Sequence, residues 1–395
     1  MNSKQLTRRA FLLAVAGAGL AACRATSERE SESTTGTQGD TGNPTPADSA
    51  PTPTLSLASQ SYYSDVRTND DGVKHLIPLD DVEWGGVEKD GIPSIDSPRF
   101  AGPDGWDEMN YDPDRLVIGV EVGGRWRAYP LQILIWHEIV NETFNGRPLL
   151  VTYCPLCGSA IVYEREIDGQ VVEFGVSGEL YNSDLLMYDR ETDSRWDQIN
   201  GTCVIGELTG KRLTYYPSET MTWRDWQETY PDSEVLSRDT GYQREYDGEP
   251  YNSYFNSDQL WFSVANRDDR LTLKTMVTGV ELGDGTFVAY VKDDVVEQSP
   301  VHNEVDGIPL LAVADPTAGD AIRVLRREVD GQVLTFEAEG DDLVDGETGS
   351  TWSYRGEAVD GDLAGAHLSD PRALNLFWFA WVAFHPDTEL WNSES

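Results

Sequence analysis

Short runs in which apolar and polar residues alternate recur along most of the chain, and glycine-containing turns separate them. The clearest pair lies at 117–129 and 277–290, where Val-Ile-Gly-Val-Glu-Val in the first run corresponds to Val-Thr-Gly-Val-Glu-Leu in the second. In each run a glycine-rich turn reverses the chain into another alternating segment. This pattern predicts two related β-hairpins.

The correspondence continues beyond these hairpins and ends in two tryptophan-rich segments. Asp168-Gly169 matches Asp330-Gly331, which predicts a second hairpin turn in each copy. The aromatic residues of 222–230 and 374–381 have helical spacing, and we expect them in the core because the second segment is apolar nearly all round. The predicted fold class is β-rich α+β, with two tandem pseudo-repeats of β-hairpins that each end in a Trp-rich helix.

The first residues carry a different pattern. Arg8-Arg9 precedes an apolar run, 11–22, that is too short to span a bilayer as a mature helix and that ends at Cys23. This beginning resembles a twin-arginine export signal followed by a lipobox. Residues 1–22 are therefore predicted to be a signal peptide, and Cys23 to carry a lipid that anchors the protein to the outer, extracytoplasmic face of the cytoplasmic membrane.

The rest of the chain divides by composition and by the repeat. Residues 23–57 are rich in Ser, Thr, Gly, Pro and acidic residues with few apolar ones, which predicts a disordered tether. Residues 58–240 are predicted to form a first lobe and residues 271–395 a second one. An aromatic-rich connection, 241–270, joins them.

Acidic residues outnumber basic ones by 69 to 30, and the formal net charge is −39. The excess is spread along the sequence and is typical of a salt-adapted surface, since concentrated salt screens the repulsion. Such a charge excludes nucleic acid as a partner. The predicted partner is therefore the membrane, through the lipid anchor. The sequence identifies no protein or small-molecule partner.

Candidate chemistry lies at Cys154-Pro155-Leu156-Cys157-Gly158, which strand-like residues flank on both sides. The pattern predicts a tight turn between two strands. The aligned segment of the second copy begins at Asp315, has Ala318 in place of the second cysteine, and keeps the proline and the glycine. The turn therefore does not need its thiols, which favours an added chemical site in the first lobe.

Three cysteines, Cys154, Cys157 and Cys203, are left once Cys23 is lipidated, and an odd number cannot all pair within one chain. One interpretation is a Cys154–Cys157 disulfide with Cys203 free or acting as a resolving thiol, which makes a thiol redox centre. A second is a metal site, in which the three thiolates and His137 bind zinc or copper. A third is a structural disulfide in a non-catalytic binding or scaffold protein, whose aromatic clefts hold a ligand such as a glycan.

Two familiar mechanisms fit the sequence poorly. A thioredoxin-like cysteine lies at a helix N-terminus, whereas the residues after Cys157 are typical of a strand. The segment that starts at Trp136 and His137 begins like a zinc-protease helix, but Asn141 stands where the second histidine belongs. His137 is then a ligand, a proton carrier or a buried structural histidine.

Several motifs resemble an uncharacterised family catalogued as domain of unknown function 3179. They are Gly91-Ile92-Pro93, His137-Glu138-Ile139-Val140-Asn141, Tyr153-Cys154-Pro155-Leu156-Cys157-Gly158, Val176-Ser177-Gly178, Tyr181-Asn182-Ser183-Asp184-Leu185 and Trp223-Arg224-Asp225-Trp226. The resemblance extends from about Asp70 to the C-terminus. Some members of that family are described as selenoproteins, and selenocysteine in place of a reactive cysteine implies redox chemistry.

Overall fold

The computed structural model describes Tyr63 and residues 65–393. The predicted signal peptide, the lipidation residue Cys23 and the tether, 23–57, lie outside the described residues. In the part of the chain that is described, no helix is long and apolar enough to cross a bilayer.

The described chain is β-rich, as predicted, and its small sheets lie in a propeller-like arrangement that the sequence pattern did not predict. Three sheets come from residues before 240, which we call the first half. Sheet A1 consists of Phe100–Ala101, Leu116–Val122, Arg125–Pro130, Glu219–Thr222 and Glu234–Leu236. Sheet B1 consists of Ile139–Phe144, Arg147–Cys154, Ser159–Glu164 and Thr214–Tyr216. Sheet C1 consists of Arg67–Thr68, Lys74–His75, Glu83–Trp84, Phe174–Tyr181, Asp184–Asp189, Arg195–Asp197 and Cys203–Ile205.

Three further sheets come from residues after 270, which we call the second half. Sheet A2 consists of Met276–Gly283, Thr286–Val291, Arg372–Phe377 and Glu389–Trp391. Sheet B2 consists of Val301–Val305, Ile308–Asp315 and Ala321–Arg326. Sheet C2 consists of Phe336–Glu339, Asp342–Asp345, Thr351–Trp352 and Ala358–Asp360. A two-stranded ribbon accompanies each half, Glu166–Ile167 with Gln170–Val171 and Glu328–Val329 with Gln332–Val333.

The two halves share strand pairings in detail. In A1 the hairpin 116–130 pairs antiparallel with Glu219–Thr222 and parallel with Glu234–Leu236. In A2 the hairpin 276–291 pairs antiparallel with Arg372–Phe377 and parallel with Glu389–Trp391. The predicted hairpins and both Asp-Gly turns are therefore confirmed.

Helices are short and lie between the sheets. The α-helices are Trp106–Met109, Leu131–Leu134, Trp223–Thr229, Asn252–Phe255, Lys292–Gln298 and Trp378–Phe384, and the 3-10 helices are Leu79–Asp81, Pro103–Gly105 and Pro316–Ala318. The second Trp-rich helix begins later than the sequence pattern predicts. Residues 372–377 form a strand instead, because they pair with Met276–Gly283 and alternate between buried and half-buried.

Each Trp-rich helix packs against a glycine in the neighbouring hairpin. A Cβ atom at Gly119 would lie 1.8 Å from the Trp226 ring, and one at Gly279 would lie 2.4 Å from the Trp381 ring. Both tryptophans are fully buried. The tryptophans are therefore core residues, as predicted, and the repeated glycines make room for them.

The largest hydrophobic cluster crosses between the halves. It contains Ile161 and Trp196 of the first half together with Leu376 and Trp378 of the second. A half-buried ion pair lies at the same boundary, where Arg212 contacts both carboxylate oxygens of Glu281 at 2.9 and 2.6 Å. The first half, which carries the cysteine turn, is thus packed directly against the second.

Candidate functional site

The cysteine turn joins two central strands of sheet B1. Arg147–Cys154 and Ser159–Glu164 pair antiparallel, with Cys154 opposite Ser159. The Cys157 amide donates to the Cys154 carbonyl oxygen at 3.2 Å, and Gly158 has a φ of +64°. The predicted position of both cysteines, on a tight turn between strands, is confirmed.

Both cysteines are free thiols, and they meet a carboxylate from sheet C1. The ligand atoms of Cys154, Cys157 and Asp184 all lie within 4.8 Å of one another, and all three residues are buried. The Cys157 sulfur lies 3.6 Å from Oδ1 of Asp184 and 3.4 Å from the carbonyl oxygen of Ser183. The Cys154 sulfur lies 4.0 Å from that same carbonyl oxygen. Two sulfurs and two oxygens therefore converge on one buried point.

Backbone donors fix the orientation of the Asp184 carboxylate. Its Oδ2 accepts hydrogen bonds from the amides of Gln198 and Ile199 at 3.0 and 3.1 Å. The other oxygen is left to face Cys157. A carboxylate fixed in this way presents a preoriented oxygen to the two sulfurs, as the outer contacts of a metal ligand do.

Burial sets the protonation of the cluster. It raises the pKa of the Cys154 thiol, and it raises the pKa values of Cys157 and Asp184 well above their ordinary ranges. The neighbouring Cys154 raises the pKa of Cys157 further, and the charge of Asp197 does the same for Asp184. Both thiols are therefore neutral at pH 7 and are weak nucleophiles in this state, because the thiolate is the reactive form.

Two unusual backbone conformations lie beside the cysteine turn. Among the described residues twelve non-glycine residues have positive φ, and ten of them are Asn or Asp, which adopt this conformation most easily. The two exceptions are Glu138 and Ser183, with φ of +58° and +63°. Ser183 is buried, and its hydroxyl has no hydrogen-bond partner. Strain and an unsatisfied polar group at one place are typical of functional sites.

Residues from the connection and the second half contact the backbone of the turn. The Tyr254 hydroxyl donates to the Leu156 carbonyl oxygen at 2.8 Å, and the Phe377 amide donates to that of Cys157 at 2.8 Å. A Cβ atom at Gly158 would lie 3.1 Å from the Phe377 ring. The second half thus fixes the turn while contributing neither thiol.

The sequence profile of the family described as "Protein of unknown function (DUF3179)" matches residues 89–388. The chain belongs to this family. No curated protein and no solved structure matches the chain. Membership therefore brings no activity, and the chemistry of this DUF3179 protein is argued from its own residues.

Cys203 lies elsewhere in this DUF3179 protein and does not join the cluster of Cys154, Cys157 and Asp184. It is fully buried in sheet C1 opposite Trp196, and its sulfur contacts the Ile205 carbonyl oxygen at 3.6 Å. Burial raises the pKa of its thiol to about 12. The structure therefore does not bring Cys203 to the other two thiols, because Cys203 is fixed in a strand of sheet C1 opposite Trp196.

His137 is likewise outside the cluster. Its Nδ1 contacts the Pro93 carbonyl oxygen and its Nε2 contacts the Tyr246 hydroxyl, each at 2.7 Å. Burial lowers the pKa of His137 to about 4, so the ring is neutral at pH 7. Since both ring nitrogens already have partners, the structure does not bring His137 to the thiols as a ligand.

Sequence reasoning missed Asp184, Ser183 and Glu138 as site residues. All three belong to motifs that carry the family resemblance, and these motifs were a signal that could have found them. Glu138 is buried beside the cluster, the Tyr251 hydroxyl hydrogen-bonds its carboxyl group, and burial raises its pKa to about 8. The backbone places it there, since the Tyr153 amide donates to the Glu138 carbonyl oxygen at 2.8 Å.

Proposed function

We propose that the first half of this protein binds one thiophilic metal ion, with zinc favoured over copper, through Cys154, Cys157 and Asp184. The observation that carries the proposal is the convergence of their ligand atoms within 4.8 Å. In tetrahedral zinc with bonds of about 2.3 Å, two sulfurs lie about 3.8 Å apart, so the ligands need to approach by no more than about 1 Å.

The donor set fits zinc on chemical grounds. Zinc takes both thiolates and carboxylate oxygens, whereas copper(I) selects the softer sulfur donors. The Ser183 carbonyl oxygen faces both sulfurs and supplies a fourth donor. Such an ion would cross-link sheets B1 and C1, and the burial of every ligand favours a structural centre over one with an open position.

Protons must leave when the ion binds. Both thiols are neutral and the pKa of Asp184 is raised well above its ordinary range, so all three groups must be deprotonated to act as ligands. Binding therefore replaces the released protons with the ion, whose two positive charges offset most of the negative charge of the three ligands in the core. The second half has no such ligand set. Asp315 stands in the position of Cys154, and it accepts hydrogen bonds from the amide and hydroxyl of Thr317, so it caps its own turn.

Metal content measured by elemental analysis tests the proposal. The protein is purified in high salt with reductant, exposed to zinc and freed of excess by gel filtration. We expect about one equivalent in the wild type and a loss in Cys157→Ser. Cys203→Ser is the matched control, because it removes an equally buried free thiol outside the cluster and should keep its zinc. A wild type that retains no metal would refute the proposal.

A dithiol–disulfide centre is the second candidate. The observation that favours it is the closeness of the two free thiols, since the Cys154 and Cys157 sulfurs lie within 4.8 Å of each other. With a small disulfide as oxidant, the two protein thiols would form one disulfide and release two small thiols.

Thiol titration separates the redox centre from a structural disulfide. A disulfide that mild reductant reopens in the folded protein supports the redox centre, whereas one that reopens only on unfolding supports the binding or scaffold protein.

We also propose that the protein is an exported lipoprotein with two repeated lobes, the first of which carries this site. Paired Arg8-Arg9 and the lipobox before Cys23 support export and anchoring, and the shared strand pairings of A1 and A2 support tandem pseudo-repeats with boundaries at 58–240 and 271–395. Fractionation of cells that express Cys23→Ser tests the anchor. The variant should leave the membrane fraction, and its retention there would contradict lipidation.

A further inference from the structure

A cavity of about 80 Å³ lies beside the cysteine turn. Buried residues form its floor, among them Glu138, Leu156 and Leu185. Tyr251 and Trp261 of the connection lie at its mouth, and their rings stack with centroids 5.8 Å apart. Trp261 is 49% exposed, so one wall of the cavity reaches solvent.

A β-bulge shapes the wall opposite the connection. The strand Phe174–Tyr181 shifts its register between Val176 and Glu179. At the bulge Gly178 has a φ of +80°, and a Cβ atom there would lie 2.2 Å from the Val87 carbonyl oxygen. Only glycine permits this close approach, and bulges of this kind often re-aim side chains next to active sites.

Apolar side chains line most of the cavity, and two acidic residues, Glu138 and Glu179, lie among them. Glu179 is ion-paired with Arg195, whereas the Glu138 carboxyl group pairs with the Tyr251 hydroxyl. Because Glu138 is buried and its pKa is raised to about 8, the floor is largely uncharged at pH 7. A cation would lose its hydration there without a free ionised partner, because Arg195 already pairs with Glu179, and the acidic surface disfavours an anion.

We infer that this cavity binds a small uncharged molecule that joins an apolar portion of three or four carbons to one hydrogen-bonding group. The size follows from the volume, since an apolar cavity of about 150 Å³ accepts benzene and this one has about half of that. The hydrogen-bonding group pairs with the Glu138 carboxyl group and the Tyr251 hydroxyl, and the carbons contact Leu156, Val176 and Leu185. A few apolar walls with a small number of convergent polar groups are typical of ligand pockets.

The cavity contacts both elements that carry the proposed metal ligands. Leu156 lies between the two cysteines, and Leu185 follows Asp184. Ligand binding is nevertheless independent of the metal, because none of the three proposed metal ligands lines the cavity. The inference therefore stands or fails separately from the proposed function.

Methyl NMR of the full chain with 1-propanol as the probe tests the inference in metal-free protein. We expect saturable shifts of the methyl groups of Leu156, Val176 and Leu185, and no shifts at the buried Val288 and Leu310 of the second half. Propanoate at the same concentration should produce none. Shifts that do not saturate, or that spread evenly over both halves, would overturn the inference.

Four variants make the test specific. Glu138→Met removes the hydrogen-bonding group at similar size and should weaken propanol binding about five-fold, whereas Glu138→Gln keeps such a group and should bind nearly as well as the wild type. Val176→Phe fills the cavity and should abolish binding, while its spectrum shows whether the protein remains folded. Equal binding by Val176→Phe and the wild type would refute the site. Cys157→Ser should bind propanol unchanged even though it loses zinc.

Discussion

Zinc should raise the melting temperature of the wild type and of Cys203→Ser, but not that of Cys157→Ser. Both variants remove a fully buried free thiol in the first half. Only Cys157 belongs to the cluster with Cys154 and Asp184. The intrinsic cost of burying a serine hydroxyl is therefore similar in the two variants, and the response to zinc isolates the metal site.

The magnitude follows from linkage. A ligand at a free concentration 100 times its dissociation constant stabilises the folded state by about 2.7 kcal/mol when it does not bind the unfolded chain. For a unit larger than 150–250 residues we take the lower end of the usual scale, about 2 °C per kcal/mol. We therefore expect zinc to raise the melting temperature by about 5 °C.

Differential scanning calorimetry in molar salt, with chelator or with zinc, measures this shift. Each protein is its own control, because the two scans differ only in free zinc. A zinc response that persists in Cys157→Ser would refute the assignment of that thiol as a ligand. A response lost in Cys203→Ser would show that the thiols cooperate across a distance that the structure does not bridge.

The remaining predictions concern stability. Burial alone would raise the pKa of Glu281, but the hydrogen bond and charge of Arg212, together with a second arginine, lower it from 4.5 to about 2. This depressed pKa stabilises the fold above pH 4.5 by about 3 kcal/mol, and the stabilisation is lost as the pH falls through 2. Denaturant titrations should therefore show a weaker acid-dependent loss in Glu281→Gln, and identical pH profiles would contradict the ion pair. Gly158→Ala should cost about 1–2 kcal/mol more than Gly124→Ala, since both residues have positive φ but only the first new methyl group crowds Phe377. Equal unfolding free energies would argue against that contact. The melting temperature should fall in dilute buffer as carboxylate repulsion is unscreened, and a value independent of salt would contradict a salt-adapted surface.

Local patterns predicted the parts of the fold that local interactions determine. The Asp168-Gly169 turn has positive φ at both residues, as its sequence requires. Thr222 caps the first Trp-rich helix by accepting from the Asp225 amide at 3.2 Å, a local contact that a threonine three residues before an acidic residue favours. The cysteine turn was found for the same reason, because its flanking strands and its glycine lie within a few residues of it.

Long-range pairing decided the parts that were missed. Asp184 reaches Cys157 across 27 positions because sheet C1 packs next to sheet B1, and no periodicity encodes that packing. Cys203 matched the cysteines in type but lies in a strand that points its side chain elsewhere. Residue type alone therefore included Cys203 and His137 in the candidate site, although neither joins the cluster. It left out Asp184, which does.

The comparison between the halves argues that the cysteine turn is an added site and not part of the scaffold that the halves share. The halves share a network in which Trp196 and Trp352 donate to Asp189 and Asp345 at 2.9 Å, so the scaffold does not depend on the thiols. In the first half the turn residues Asn182 and Ser183 both have positive φ. In the corresponding turn of the second half, Gly340-Asp341, only the glycine has positive φ, at +67°, where it costs least. The first half thus accepts strain that its counterpart avoids. Strain of this kind persists when the surroundings require it, and here the requirement is a carbonyl oxygen aimed at two sulfurs.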